Sequence, residues 1–259
     1  MLILNWVLML VKILSNYYIR DSCVTNYIMI RFGTDYGGYL LPENINLDSN
    51  SIVYSIGIGE DISFDATLSG KYNCKIFMFD PTPRSIEHVE KIKNVLYGKE
   101  DLIPNKRFGG GQSNYLDIIK NSNCNPDNLL FEPIGIYNKN HFLDFYFPNN
   151  EEYVSCSLET FGRNSNKSIK VQVKTVETVM TENNHSYIDI FKIDIENSEY
   201  DVLMNMFECN IYPRYICIDF DGLRNNYLND DKKIHILELI LQKYNVLVNN
   251  NFDFTFQLK

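Results

Sequence analysis

The chain has 259 residues, of which 45% are hydrophobic, and its formal net charge at pH 7 is −9. This length and apolar content are enough for the core of one large folded domain and argue against a disordered chain. No run of basic residues is longer than two. Because phosphate backbones are bound mainly by Lys and Arg, the acidic balance argues against nucleic acid as a partner.

The spacing of cysteines and histidines argues against a disulfide scaffold or a structural zinc site. The six cysteines form no C-x-x-C pair and the four histidines form no H-x₃-H pair. Structural zinc sites and small disulfide-rich folds need such tight spacing. We therefore expect reduced thiols and a cytoplasmic location.

The first 14 residues, MLILNWVLMLVKIL, are apolar nearly all round a helix and are interrupted only by Asn5 and Lys12. The segment is shorter than the about 20 residues that a membrane-spanning helix requires, and it lacks the flanks of a signal peptide. It predicts a helix buried against the domain or against a second subunit, which would give a homodimer. Membrane association is the alternative. Residues 1–50 together are predicted to form a helical cap on the domain that follows.

From residue 51 onward, short apolar strands alternate with helices. Strands are predicted over 52–56, 75–79, 128–134, 141–147, 168–174, 188–193, 215–218, 245–248 and 252–258. Helices are predicted over 62–69, 85–95, 115–120, 198–207 and 231–243. The β-α-β order predicts a parallel sheet with right-handed crossovers. Segment 141–147 alternates with period two, as an antiparallel edge strand does.

The last two predicted strands are joined only by Asn249, Asn250 and Asn251, so they must pair as an antiparallel hairpin. The predicted fold class is therefore α/β, with a Rossmann-like, doubly wound sheet of seven strands that ends in one antiparallel hairpin strand. This architecture resembles that of the class I methyltransferases. Residues 51–259 are predicted to form one such domain.

The stretch YSIGIGEDISFD places Gly57 and Gly59 between the first strand of this sheet and the following helix. In a Rossmann-like unit such glycines let a ligand approach the backbone, and an acid about 20 residues further on binds the ribose hydroxyls. Asp80 lies 21 residues after Gly59, at the end of the second strand. Glu60 and Asp61 would repel a pyrophosphate but not the sulfonium and ammonium of S-adenosylmethionine. The loop thus favours S-adenosylmethionine as cofactor; alternatively, the two acids only complement the helix dipole.

Four stretches, IVYSIGIGEDISFD, FMFDPTPRSIE, FEPIGIYN and IDIFKIDIENSEYDVL, resemble the FkbM-type methyltransferases. The resemblance covers about residues 51–220 and implies transfer of a methyl group to a hydroxyl, mostly of sugars or polyketides. Its most specific part is the family pattern Lys-Ile-Asp-x-Glu-Gly-x-Glu, which begins here at Lys192 and ends at Glu199. Three positions depart from the family. Ser55 replaces an acid, Asp61 replaces the last loop glycine, and Asn197 replaces a glycine in a turn whose positive φ Asn tolerates.

The resemblance assigns cofactor contacts to the glycine loop, the end of the second strand and the turn after the third strand. These residues are Ser55, Gly57, Ile58, Gly59, Glu60, Asp61, Asp80, Pro81, Thr82 and Gly135. The catalytic candidates are Asp194, Glu196 and Lys192, with Asp194 first among them. Because Lys192 lies inside an apolar strand, we expect its ammonium to meet a carboxylate.

A sugar hydroxyl is a weak nucleophile that needs a base or a metal ion. Asp194, Asp219 and Asp221 follow the fourth and fifth core strands, and their carboxylates could hold Mg²⁺, which prefers oxygen ligands. Alternatively, acids at these strand ends bind the cofactor or cap the next helix.

Two loops are candidate lids: GTDYGGYL, with Tyr36 and Tyr39, and YVSCSLETFGRN, with Tyr153 and Phe161. Their rings could stack on a sugar or an adenine. The sequence thus predicts an S-adenosylmethionine-dependent O-methyltransferase that acts on a small-molecule or glycan acceptor.

Two other functions compete with this prediction. A nucleotide-dependent oxidoreductase would carry a third loop glycine and no acids on the helix, and neither condition holds. A non-catalytic binding module of the same shape is supported by Ser55 and by the missing third glycine.

Overall fold

A computed structural model describes residues 27–101, 108–149, 164–195, 197–220, 231–250 and 253–259 of the chain. The strands are β1 (Met29–Phe32), β2 (Tyr39–Pro42), β3 (Ile52–Ile56), β4 (Lys75–Phe79), β5 (Leu129–Glu132), β6 (Gly135–Ile136), β7 (His141–Pro148), β8 (Asn164–Lys174), β9 (Ile190–Ile193), β10 (Tyr215–Asp219), β11 (Tyr244–Asn250) and β12 (Asp253–Leu258). The α-helices are α1 (Ser63–Tyr72), α2 (Pro83–Leu96), α3 (Tyr115–Asn121), α4 (Val176–Glu182), α5 (Glu199–Glu208) and α6 (Asp231–Lys243). Short 3₁₀ turns cover Phe108–Gly111 and Pro126–Asn128.

The central sheet has seven strands in the order β11-β12-β10-β9-β3-β4-β5. Strands β5, β4, β3, β9 and β10 are parallel, whereas β12 runs antiparallel to both β10 and β11. Every residue of β9 and of β10 is buried, as expected for parallel strands covered on both faces. The strand order reverses direction between β3 and β9, which makes the sheet doubly wound. The predicted α/β fold with one antiparallel C-terminal hairpin strand is confirmed.

Helices cover the two faces of this sheet. Apolar side chains of α1, α2 and α3 belong to one buried cluster, and those of α4, α5 and α6 belong to the other. Neighbouring positions of β3 divide between the faces: Val53 joins the first cluster, whereas Tyr54 joins the second. Helix α4 was not predicted. It is short, and its N-terminus is defined by Thr175, whose hydroxyl accepts a hydrogen bond from Thr178 N at 3.1 Å.

The structure of residues 27–50 corrects the expectation of a helical cap, since they contain the antiparallel hairpin of β1 and β2. Glycines in the connecting turn, 33–38, disfavour a continuous helix, and Arg31 closes that turn by donating a hydrogen bond to Gly38 O at 2.9 Å. The hairpin packs against α1 and β12, where Thr255 Oγ1 donates to Leu40 O at 2.8 Å. The apolar segment 1–14 and the dimer predicted from it lie outside the described residues.

A separate three-stranded sheet has the order β6-β8-β7. Strand β7 pairs antiparallel with β8, which confirms the antiparallel prediction for 141–147 but places the strand outside the central sheet. The strand predicted over 128–134 ends at Glu132, because Pro133 has no N–H to continue the ladder. Gly135 then begins β6 in the small sheet.

No helix within the described ranges is both long enough and apolar enough to cross a bilayer.

Candidate active site

A cavity of about 380 Å³ opens at the carboxyl ends of β3, β4, β9 and β10. Doubly wound sheets bind their ligands at this edge, and the volume falls within the range of about 300–1,000 Å³ of small-molecule sites. The sequence-predicted residues that line it are Gly57, Ile58, Gly59, Glu60, Asp61, Asp80, Pro81, Thr82, Gly135, Lys192, Asp194 and Asp219. Ser55 is fully buried in β3 and is not part of the lining. Glu196 and Asp221 lie outside the described residues.

The glycine loop turns sharply after β3, with Gly57 at φ +72° and Gly59 at φ +52°. A Cβ atom on Gly57 would stand 1.9 Å from the backbone oxygen of Asp194, so only glycine allows the loop to pass this closely over the end of β9. Gly57 N donates to Phe79 O at 3.0 Å, which ties the loop to β4. The loop is thus fixed between the two neighbouring strand ends.

Asp80, at the end of β4, is held by four hydrogen bonds. Its Oδ1 accepts from Thr82 N at 2.9 Å, from Thr82 Oγ1 at 2.7 Å and from Ser85 Oγ at 2.8 Å. Its Oδ2 accepts from Gly59 N at 3.0 Å. A carboxylate oxygen has about two lone-pair sites, so Oδ2 keeps one for a donor in the cavity. Gly57, Gly59 and Asp80 are called the glycine-loop side of the cavity below.

Glu60 and Asp61 line the cavity but already have protein partners. Glu60 forms an ion pair with Arg84 of α2. Asp61 Oδ1 accepts from Ser63 N at 2.8 Å at the start of α1, and its Oδ2 accepts from Thr34 Oγ1 at 2.6 Å. Both acids therefore join elements around the cavity. Their predicted contact with a cofactor stays a prediction.

The turn between β1 and β2 forms the opposite wall, the hairpin side, with Asp35, Tyr36, Gly37 and Tyr39 in the lining. A Cβ atom on Gly37 would lie 2.8 Å from Asp61 Cγ, so this turn packs tightly on the start of α1. Tyr36 and Tyr39 belong to the first predicted lid loop, whose rings were expected to stack on a ligand, and both line the cavity. Tyr153 and Phe161 of the second loop lie outside the described residues.

The turn after β9 is held by residues of the family pattern. Glu199 is buried and its Oε1 accepts from Ile195 N at 3.1 Å, so it fixes this turn rather than facing the cavity. Asn197 has φ +70°, which confirms that Asn can take the left-handed position of the family's glycine. Lys192 is 3% exposed and its Nζ lies 3.5 Å from Gly57 O.

Tyr39 lines the cavity together with three acids at the ends of β9, β10 and β12, which are Asp194, Asp219 and Asp253. The pKa of Tyr39 is raised well above its ordinary value, first by burial and then by the charges of Asp194, Asp253 and Asp219. Tyr39 therefore stays protonated and can donate a hydrogen bond into the cavity. Asp253 lines the cavity opposite Asp219 in the β10–β12 pair, and sequence reasoning missed it because only that antiparallel register brings it to the site.

The predicted magnesium site is not supported. Asp194 and Asp219 both line the cavity, but the described part of the chain contains no group of three or more His, Cys, Asp or Glu residues that could hold a metal ion.

The strand order with a single antiparallel strand, and the cavity at the point where that order reverses, define a Rossmann-like methyltransferase fold. The family model described as the methyltransferase FkbM domain matches residues 41–245. The chain therefore belongs to the FkbM methyltransferase family and is a methyltransferase. No curated protein and no solved structure matches it.

Proposed function

We propose that the protein is an S-adenosylmethionine-dependent O-methyltransferase that acts on a hydroxyl of a sugar, a nucleotide-sugar or a glycan. One observation carries the proposal: the Asp80 carboxylate lies beside the glycine loop in a cavity at the carboxyl edge of the sheet, with Asp194 in the same lining. This arrangement supports a nucleoside at Asp80 and a reacting centre near Asp194.

The residues present fit S-adenosylmethionine. Asp80 Oδ2 keeps an acceptor site for a ribose hydroxyl, and the described lining carries seven carboxylate side chains and one ammonium, that of Lys192. Such a lining would repel a dinucleotide pyrophosphate but suits a ligand with a sulfonium and an ammonium. The balance of charges therefore favours this cofactor over a nicotinamide dinucleotide.

When bound, S-adenosylmethionine supplies an electrophilic methyl group whose C–S bond breaks as the acceptor oxygen forms the new C–O bond, leaving S-adenosylhomocysteine, a methyl ether and the hydroxyl proton. Asp80 orients the nucleoside through its ribose. Asp194 follows β9 and lines the cavity, with its backbone next to the glycine loop, and its carboxylate can take the acceptor proton. Tyr39 donates a hydrogen bond to the acceptor, and positioning of the two reactants supplies much of the remaining catalysis.

The hairpin side supports a polyhydroxylated acceptor. Tyr36 and Phe145 offer aromatic surface in the lining, and Asp35, Asp219 and Asp253 offer carboxylates that accept hydrogen bonds from hydroxyls. Cys74, Cys124, Cys209 and Cys217 are free thiols, which supports the proposed cytoplasmic location. A homodimer through the N-terminal segment also stays a proposal. It is contradicted if a variant lacking residues 1–14 keeps the oligomeric state of the full chain in size-exclusion chromatography.

Isothermal titration of S-adenosylmethionine and S-adenosylhomocysteine tests the cofactor. Asp80→Asn should weaken both affinities roughly 10- to 100-fold, because a hydrogen bond to a charged group is lost. Asp117→Asn, an exposed acid on α3, should leave them unchanged. Absence of binding to the folded wild-type protein contradicts the enzyme proposal.

Transfer of a tritiated methyl group identifies the acceptor among matched sets of nucleotide-sugars, simple glycosides and oligosaccharides. The product should be an ether that survives alkaline hydrolysis. Cofactor binding without transfer to any set would favour the non-catalytic binding module instead.

A further inference from the structure

Tyr36, in the turn between β1 and β2, is an aromatic residue whose ring lies against a second turn of the chain. The residue is 62% exposed and lines the cavity. A Cβ atom on Gly110 would overlap with Tyr36 Cγ and would stand 2.5 Å from Cδ1 and 2.7 Å from Cδ2. The ring therefore occupies the space that a side chain at position 110 would need, so only glycine allows it to lie there.

The turn that carries Gly110, residues 108–111, is itself fixed to the domain and is called the triple-glycine turn below. Gly109 N donates to Glu60 O at 2.9 Å. A Cβ atom on Gly109 would stand 2.5 Å from Tyr115 Cδ2 of α3, so this turn also packs closely on that helix. Gly109 and Gly110 have φ of +60° and +61°, a conformation that glycine adopts without strain. The triple-glycine turn is thus a fixed support for the ring of Tyr36.

The hairpin turn is fixed next to the same point of the chain. Asp61 Oδ2 accepts from Thr34 Oγ1 at 2.6 Å, and Thr34 Oγ1 accepts from Tyr36 N at 3.3 Å. Glu60 and Asp61 are consecutive, so the triple-glycine turn and the hairpin turn are both tied to the chain directly before α1. The backbone is therefore held on both sides of the contact between the tyrosine ring and its support.

We propose that Tyr36, held on Gly110, selects a cyclic sugar as the acceptor by stacking on the apolar face of the sugar ring. The inference deepens the proposed function and rests on it. In that function the glycine-loop side takes the nucleoside through Asp80, which leaves the hairpin side for the acceptor. Asp219 and Asp253 line the same cavity and can accept hydrogen bonds from the sugar hydroxyls.

The shape of the acceptor follows from this arrangement. An aromatic ring in a fixed position offers a flat apolar surface, and the C–H face of a pyranose matches it. An open-chain polyol carries similar hydroxyls but does not present such a face in one piece. Tyr36 is therefore the residue that would distinguish the two, and Gly110 is a positioning residue that acts through Tyr36.

The test compares methyl pyranosides of glucose, galactose and mannose with the open-chain alditols of the same sugars. Wild type should prefer the pyranosides by about tenfold in kcat/KM. Tyr36→Ala should raise KM for the pyranoside by about that factor, leave kcat and the dissociation constant of S-adenosylmethionine unchanged, and abolish the preference. Tyr36→Phe should restore the preference, because stacking needs the ring and not the hydroxyl.

Tyr187→Ala is the matched control, since Tyr187 is 51% exposed and lies outside the lining. It should leave KM as in wild type. The proposal is overturned by equal use of both classes of acceptor, by a preference that survives Tyr36→Ala, or by cofactor binding without transfer to any pyranoside.

The role of Gly110 is tested in combination with Tyr36. Gly110→Ala should raise KM for the pyranoside about as much as Tyr36→Ala does. The double variant should be no worse than Tyr36→Ala alone, because the ring that Gly110 positions is already gone. Gly98→Ala is the control for backbone strain, since its φ is +67° but no atom lies within 4 Å. Additive effects of the two substitutions on KM would overturn the positioning role of Gly110.

Urea unfolding separates failure of this inference from failure of the proposed function. Gly110→Ala should lower the urea midpoint more than Gly98→Ala does in wild type, and no more than Gly98→Ala does in the Tyr36→Ala background. If this order holds but the protein binds no S-adenosylmethionine, the contact stands and the acceptor role of Tyr36 falls with the proposed function. If the cofactor binds and Tyr36→Ala methylates the pyranoside with unchanged KM, only the acceptor role is wrong.

Discussion

The glycine-loop side of the cavity is held by hydrogen bonds within one β-α-β unit, whereas the hairpin side is held by contacts between distant segments. Asp80 reaches its partners Gly59, Thr82 and Ser85 within 21 residues of sequence. Thr34 on the hairpin side reaches Asp61 across 27 residues, and Leu40 reaches Thr255 across 215. The glycine-loop side is therefore organised by local sequence. The hairpin side depends on the completed tertiary structure.

The largest effect is expected at Gly57, on the glycine-loop side. Gly57→Ala forces a Cβ atom against the Asp194 backbone oxygen, in a left-handed conformation, and should lower the free energy of unfolding by more than about 3 kcal/mol. Gly98→Ala is the matched control, since its φ is +67° but no atom lies within 4 Å. That variant should lose only about 1–2 kcal/mol of conformational strain. If both variants lost the same unfolding free energy in urea, the close approach of Gly57 to the end of β9 would not contribute to stability.

Removing a hydrogen bond that holds the hairpin side should lower the free energy of unfolding by an intermediate amount. Thr34→Val removes the hydrogen bond to Asp61 Oδ2 and should cost about 1.5–3 kcal/mol of unfolding free energy, since the acceptor is charged. Hydrogen–deuterium exchange should rise in residues 33–40 and stay unchanged at 57–59. Thr67→Val, whose hydroxyl bonds only carbonyls of its own helix, should leave exchange at 33–40 as in wild type. Faster exchange of the glycine loop in Thr34→Val would mean that the two sides are not independent.

The smallest effect is a loss of unfolding free energy at acidic pH, which comes from His88 of α2. His88 Nε2 lies 2.7 Å from Tyr115 Oη, which accepts from Ile62 N at the start of α1. Burial and then Lys91 lower the pKa of His88 from 6.5 to about 3. Because the folded pKa is depressed, the unfolded chain takes up the proton first, and stability is lost as the pH falls below 6.5.

Between pH 7.5 and pH 5.5 this histidine should remove about 1.4 kcal/mol of unfolding free energy. His88→Gln should reduce the measured difference between the two pH values by that amount. His185, whose pKa is also lowered by burial, acts in the same direction and is retained in both proteins. An unchanged pH dependence in the variant would contradict a neutral His88.

Sequence reasoning predicted the parts of the site that depend on local order. Strands 52–56 and 75–79 are short and mostly apolar, and Asp80 follows from its distance to the glycine loop. The hairpin of residues 27–50 was missed because strands of four residues carry little periodicity and its stability comes from α1 and β12. Asp253 could not be assigned because only the β10–β12 register brings it to the cavity.

The hydrogen bond from Thr255 Oγ1 to Leu40 O joins β2, which belongs to the hairpin side of the cavity, to strand β12. During synthesis, β12 leaves the ribosome after every other described strand of the sheet, so the hairpin side makes this contact only after residue 255 has been made. A nascent chain that ends before β12 can thus form the hydrogen bonds of the glycine-loop side but not the full set that holds the hairpin side. The order of synthesis itself delays methyl transfer until the whole domain exists.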